Sequence, residues 1–145
     1  MIDMIGQNPI FSTAIRLVVG QRLVRRLDDN TKVPYQPDEA IIKYIKGVLQ
    51  DLPDHVPQPD YSNLTLYRPG KSEDSPFGYR GRTLIMEQLI VDDKIQSFIR
   101  GEVQDINTKL IEDTARQQGM VSLEQDGVLK AIAGITTLEE INRVL

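Results

Sequence analysis

Gly78-Tyr79-Arg80-Gly81-Arg82 sets two arginines in a frame of two glycines. Glycines three apart allow a tight backbone path, and Arg80 and Arg82 leave it as planar, permanently charged forks that fit a phosphate or a carboxylate. The simpler reading is a turn whose arginines pair with local acids such as Glu73, Asp74 or Glu87, and surface pairs of that kind add little stability. A second polar cluster, Gln21, Arg22, Arg25 and Arg26, falls at the end of a predicted helix. The negative end of the macrodipole accounts there for Arg25 and Arg26. Pro69-Gly70-Lys71-Ser72 ends like a phosphate-binding loop. The full word, however, needs a glycine where Thr65 stands and a helix where Glu73-Asp74-Ser75-Pro76 follows, so the segment reads as a hairpin loop. Nucleophilic catalysis lacks its parts. There is no cysteine, and Ser12, Ser62, Ser72, Ser75, Ser97 and Ser122 occupy no Gly-x-Ser-x-Gly elbow. The single histidine, His55, lies in a loop between Asp54 and Val56 and is given no role.

Bulk properties narrow the classes further. The 145 residues, 40% hydrophobic, suffice for one modest domain or two small subdomains with a packed core. A net charge of −4 argues against holding nucleic acid or anionic lipid by overall electrostatics. The apolar run from Ile10 to Gly20 is too short for a membrane span and is broken by Arg16, nor does it make a signal peptide, so a soluble cytosolic chain without direct membrane insertion is expected. Without cysteine there are no disulfides and no cysteine-ligated zinc.

The elements that must position the arginines are read from caps and periodicity. Met1-Ile2-Asp3-Met4 reads as the end of an element cut from something longer. Asn8-Pro9 opens the longest predicted helix, with Phe11, Ala14, Ile15, Val18, Val19, Leu23 and Leu27 on its apolar face. Asp28 to Lys32 is a turn-rich break. Seven of the eight prolines and all five tyrosines lie between Pro34 and Tyr79, which marks a different kind of structure. In it, Gln36-Pro37-Asp38-Glu39 opens a helix that buries Ile41, Ile42, Ile45, Val48, Leu49 and Leu52, with Pro37 at its first position. A proline-rich loop runs from Asp51 to Tyr61. Asn63 to Arg68 alternates as a strand, with Thr83-Leu84-Ile85-Met86 as its expected partner. Asp92 or Asp93 starts a helix that ends at Gly101. Three capped helices then follow almost without connection: one from Asp105 to Gly119, one from a Ser122/Gln125 capping box to Gly134, and one from a Thr136/Glu139 capping box to Leu145. Helices this short must pack on one another and on something upstream. The expected fold is mainly α (α+β), a helical bundle with a small antiparallel β insert. Its segments are 1–33 (a long helix), 34–90 (insert) and 91–145 (terminal bundle).

Several words in order carry a resemblance. They are Gln21-Arg22-Leu23-Val24-Arg25-Arg26-Leu27; Gly78-Tyr79-Arg80-Gly81-Arg82 leading to Glu87-Gln88-Leu89; and Ala115-Arg116-Gln117-Gln118-Gly119-Met120, Ser122-Leu123 and Asp126-Gly127. Last comes Ala133-Gly134-Ile135-Thr136-Thr137-Leu138-Glu139-Glu140. The chain resembles, nearly end to end and most weakly between Gln36 and Asn63, the C-terminal region of the assembly ATPases of type II secretion and type IV pilus systems. The resemblance implies a hexameric parent that hydrolyses ATP with Mg²⁺, and it places Gln21, Arg22, Arg80 and Arg82 near the nucleotide or the adjoining subunit. The family's zinc knuckle falls on Asp28, Thr31, Lys71 and Asp74. A lysine among four positions with no Cys or His cannot make that site, so no metal is expected and packing must replace it. This chain has neither a phosphate-cradling loop nor an acidic metal site. The implied role is therefore a C-terminal fragment without cofactor or catalytic residue, inert toward ATP alone, that packs on the nucleotide core and transmits its motion. Its partners would be that core, neighbouring ring subunits and inner-membrane platform proteins, at the cytoplasmic side of the membrane. The alternative is a stand-alone helical protein-protein interaction module.

Overall fold

The computed structural model describes residues 14–103 and 105–145. Leu17–Leu27, with β-branched Val18, Val19 and Val24, is a strand, β1. The short strand β2, Val33–Tyr35, and helix α1, Glu39–Leu49, follow, then strand β3, Leu66–Arg68, and the long strand β4, Tyr79–Ile90. Four helices end the chain: α2 Asp93–Ile99, α3 Thr108–Gln117, α4 Leu123–Ile132 and α5 Leu138–Val144. β1 pairs antiparallel with β4, from Leu17 opposite Ile90 to Leu27 opposite Tyr79. β2 pairs antiparallel with β3 in a second, smaller sheet.

This corrects the expected helical bundle. Among the described residues the fold is α+β, with five helices and two small antiparallel sheets. The predicted long helix is a strand over Leu17–Leu27, while its beginning at Asn8-Pro9 lies outside the described residues. The predicted hairpin is also replaced: Leu66–Arg68 and the Thr83 to Met86 stretch belong to different sheets, and each pairs with a segment upstream of the insert helix. β1 and β4 have compatible alternating patterns sixty residues apart, and their paired inner face buries Val24 and Ile85.

Local codes place the helices well. Asp38, Asp92, Asn107, Ser122 and Thr137 each accept a hydrogen bond from a first-turn amide, and Ser122 with Gln125 forms the full reciprocal capping box. Three starts differ from expectation. Pro37 precedes the cap Asp38, Asn107 replaces Asp105, and Thr137 replaces Thr136.

The helices line the ribbon rather than bundling. Val91, Ile95 and Phe98 of the α2 region join Val18 and Leu89 at one end. Ile141 of α5 and Leu123 of α4 cover Val24 and Ile85 at the other. Ile45 and Leu49 of α1 meet Leu64, Leu66 and Val128 in a third cluster that ties the small sheet to α4. At Gly127 the approach of α5 is tight: an added Cβ would lie 2.8 Å from Ile141 Cδ1.

Candidate functional site

The Gly78-Tyr79-Arg80-Gly81-Arg82 word becomes a turn entry and a bulge. Gly78 and Gly81 both have positive φ, 71° and 77°. Arg25 faces Arg82 while Leu27 faces Tyr79, so β4 carries one extra residue there and the register shifts. The bulge turns the strand so that Arg82 and Tyr79 both address Arg25. The Arg25 guanidinium lies 4.3 Å from the centre of the Tyr79 ring, a cation–π distance. Tyr79 Oη lies 3.3 Å from Thr137 Oγ1 at the α5 cap.

Glu140 holds this end together. Its carboxylate, 1% exposed, accepts from the Arg25 guanidinium at Oε1 and from the Arg25 backbone amide at Oε2, 3.1 Å. Arg143, one turn on, donates its Nε to Oε1 at 3.0 Å and an Nη to Oε2 at 2.9 Å. Thr136 Oγ1 completes the join by donating to the Arg25 carbonyl at 2.9 Å. Burial acts to raise the Glu140 pKa, but the hydrogen bonds from Arg25 and Arg143 outweigh it and bring the carboxyl down to about 2. The same bonds hold Arg25 and Arg143 above the ordinary guanidinium value. Leu23, Val24, Arg25, Arg82 and Arg143 line a cavity of about 410 Å³ over this cluster.

The four predicted site residues are not brought together. Arg82 joins Arg25 and Arg143. Gln21 faces Met86, four residues and so about 13 Å along β1 from Arg25. Arg22 projects from the opposite face and hydrogen-bonds the Gln21 carbonyl at 3.0 Å. Arg80 is exposed and has no ion pair among the described residues. Arg25 and Arg26 sit on a strand rather than a helix end. Arg26 pairs with exposed Asp29 at 2.7 Å, whereas Arg25 is bound to buried Glu140. Glu140, Arg143 and Tyr79 were missed. The only sequence signal for Glu140 is the Thr137-to-Glu140 spacing, which competes with Thr136-to-Glu139 one residue earlier.

At the knuckle positions the chain holds itself without metal ligands. Asp28 is buried, its amide donates to the Gly78 carbonyl at 3.1 Å, and its carboxylate accepts from the Asn30 amide at 3.0 Å. Gly70, next to Lys71, packs so closely on Thr31 that a Cβ there would lie 1.8 Å from the Thr31 carbonyl oxygen. Lys32 Nζ donates to the Gly134 carbonyl at 3.0 Å, fastening the turn to the end of α4. Asp74 and Lys71 are exposed. Among the described residues no group of three His, Asp or Glu could hold a metal ion. Ser72, after Gly70-Lys71, exchanges backbone bonds with Ser75 in a turn instead of starting a helix. His55 packs its ring on Gly119 at the end of α3.

A family model described as "Type II/IV secretion system protein" matches residues 1–143. The type II secretion system protein E of Xanthomonas campestris is 34% identical over 144 residues, covering 99% of this chain and 24% of that protein. The type IV pilus assembly ATPase PilB of Thermus thermophilus is 34% identical over 142 residues, covering 97% of this chain and 15% of that protein. The type II secretion system ATPase E of Vibrio cholerae is 37% identical over 137 residues, covering 93% of this chain and 24% of that protein. The chain thus spans about a quarter or less of the length of these curated relatives.

Proposed function

Because this chain belongs to the type II/IV secretion system protein family, we propose that it serves as the C-terminal part of a hexameric ATPase motor for pilus assembly or secretion. It packs on a nucleotide-binding core outside these 145 residues and passes on that core's motion. ATP and Mg²⁺ belong to the core, and the chain alone is inert toward ATP. Neighbouring ring subunits and an inner-membrane platform protein are its further partners, met on the cytoplasmic side. Gln21, Arg22, Arg80 and Arg82 face the core or the adjoining subunit.

The observation that carries this reading is a face of the ribbon left uncovered among the described residues. Leu17, Val19 and Leu23 of β1 are 50%, 47% and 52% exposed, and Ile90 of β4 is 61% exposed. By the two-residue alternation of the paired strands they lie on one face, together with Gln21 and Arg82. Among the described residues the edge of β1 beside them is open as well. Arg25 sends its amide and carbonyl outward to Glu140 and Thr136, so the alternating outward groups of Leu17, Val19 and Leu23 lie on the same edge. Those groups have no backbone partner among the described residues. The outer edge of β4, by contrast, is covered by α4, where Asp126 accepts from the Met86 amide and Lys130 donates to the Leu84 carbonyl. An apolar face beside an open edge needs a covering element. The relatives' additional length offers one.

The test is binding of the 145-residue chain to the nucleotide core of a longer family member. Capture that is lost in Leu23→Asp/Ile90→Asp, with the circular dichroism unchanged, is expected. A chain that ignores the core, or that turns over ATP above a blank by itself, refutes the reading.

A further inference from the structure

We propose that Arg25, Arg82 and Arg143 form a binding site for a phosphate group. The site shares Arg82 with the motor reading but adds Arg25 and Arg143, which that reading does not use, and it is tested on the isolated chain, so its failure would leave capture by the core untouched.

Donors outnumber acceptors at this end of the ribbon. A carboxylate offers about four acceptor positions. At Glu140 all four are taken: Oε1 by Arg25 and Arg143 Nε, Oε2 by the Arg25 amide and Arg143 Nη. Nothing is left there for Arg82, which lies directly across from Arg25 in the ladder and has no ion pair or hydrogen bond among the described residues. Since Arg25 turns its amide and carbonyl away from β4, the Arg25–Arg82 pair is the non-hydrogen-bonded kind, in which facing side chains come closest. Like charges at that spacing repel. Three guanidinium groups around one filled carboxylate leave two positive charges uncompensated on the rim of a single cavity.

The cavity is built to keep them there. Glu140 and the Tyr79 ring fix Arg25, Glu140 fixes Arg143, and Leu23 and Val24 provide an apolar wall. Guanidinium donors left over by Glu140 are forks of the geometry that grips a phosphate with two parallel bonds. An incoming phosphate group would supply acceptors for Arg82 and relieve the repulsion across the strands.

The probe is inorganic phosphate, titrated into the 145-residue chain at constant ionic strength in chloride and followed by amide and arginine side-chain NMR. Saturable shifts clustered at Val24, Arg25, Arg82, Thr83 and Arg143 are expected. Arg82→Ala should abolish them while the remaining spectrum stays folded, Arg82→Lys should weaken binding about ten-fold through loss of the fork, and Arg100→Ala should leave them unchanged. ATP titrated in parallel separates the sources: affinity at least ten-fold above that of phosphate identifies a nucleotide phosphate, and equal affinity identifies a free one. Shifts that never saturate, that spread over all surface arginines, or that persist in Arg82→Ala overturn the site. Saturation by acetate without any by phosphate overturns the assignment of the ligand.

Discussion

Arg25 and Glu140, 115 residues apart, are joined twice, by the Arg25 amide and by its guanidinium, each to a different carboxylate oxygen. The join fastens the last helix to the strand at which the two long segments of the chain meet, so it ties the ends of the fold together.

Removing that carboxylate should be costly. Glu140→Ala leaves the half-exposed Arg25 and Arg143 to water and takes the acceptor from the Arg25 amide, and a loss of about 2–3 kcal/mol is expected, the range for hydrogen bonds to a charged group. Glu140→Gln keeps two acceptor sites and should lose less, about 1–2 kcal/mol. Urea midpoints with unchanged m-values would check both.

Acid should expose the same group. The folded Glu140 pKa, about 2, lies below the ordinary 4.5, so the unfolded chain binds the proton first as pH falls. The stabilisation is therefore fully present above about pH 5 and drains away between there and about pH 2, by on the order of 2–3 kcal/mol. Exposed Asp29 and Asp92 are also pulled down and add to the wild-type slope, Asp29 by Lys32 and Arg26, and Asp92 chiefly by the Ile95 amide. The difference between wild type and Glu140→Gln, measured as the urea midpoint against pH, isolates Glu140 and should shrink through that window.

Gly127 and Ile141 should be coupled. Alanine would normally gain about 1 kcal/mol over glycine in a helix. Here its Cβ would fall 2.8–3.1 Å from three Ile141 carbons, so Gly127→Ala is expected to be net destabilising by about 1–2 kcal/mol. Ile141→Val removes the nearest of those carbons. A double-mutant cycle on thermal or urea unfolding should show a favourable interaction term of at least about 0.5 kcal/mol.

The two glycines of the arginine word should separate. At Gly81 a Cβ meets nothing within 4 Å, so Gly81→Ala carries only the left-handed backbone cost, about 1–2 kcal/mol. At Gly78 the same strain is joined by a Cβ 2.4 Å from the Gly70 carbonyl oxygen, so Gly78→Ala should cost more, about 3 kcal/mol or above. Comparing their unfolding midpoints checks the order.

Much of the helical part was legible because its code is local. Ser122 and Gln125 sit three apart and cap one helix, Gly134 takes the left-handed position that ends it, and Gly119 does the same for the helix before. The strand Leu17–Leu27 was misread because Val18, Val19, Leu23 and Leu27 fit a helical stripe as well as a strand. What tips the choice is Ile90 to Tyr79, far along the chain. Arg25 was misread for the same reason: a cation near a presumed helix end had a sufficient local explanation, while its partner Glu140 lay beyond any local window.

The sequence by itself determined the family words, the absence of cysteine ligands at the knuckle positions, the caps, and the glycine frame around Arg80 and Arg82, since each depends on residues within a turn of one another. The tertiary structure alone decided which strands pair, that Arg82 stands beside Arg25 and Arg143 while Gln21 and Arg22 do not, and that Glu140 binds them. Those outcomes follow from burying complementary faces across 60 to 115 residues, and the free energy of that burial depends on the partner's register rather than on either segment alone.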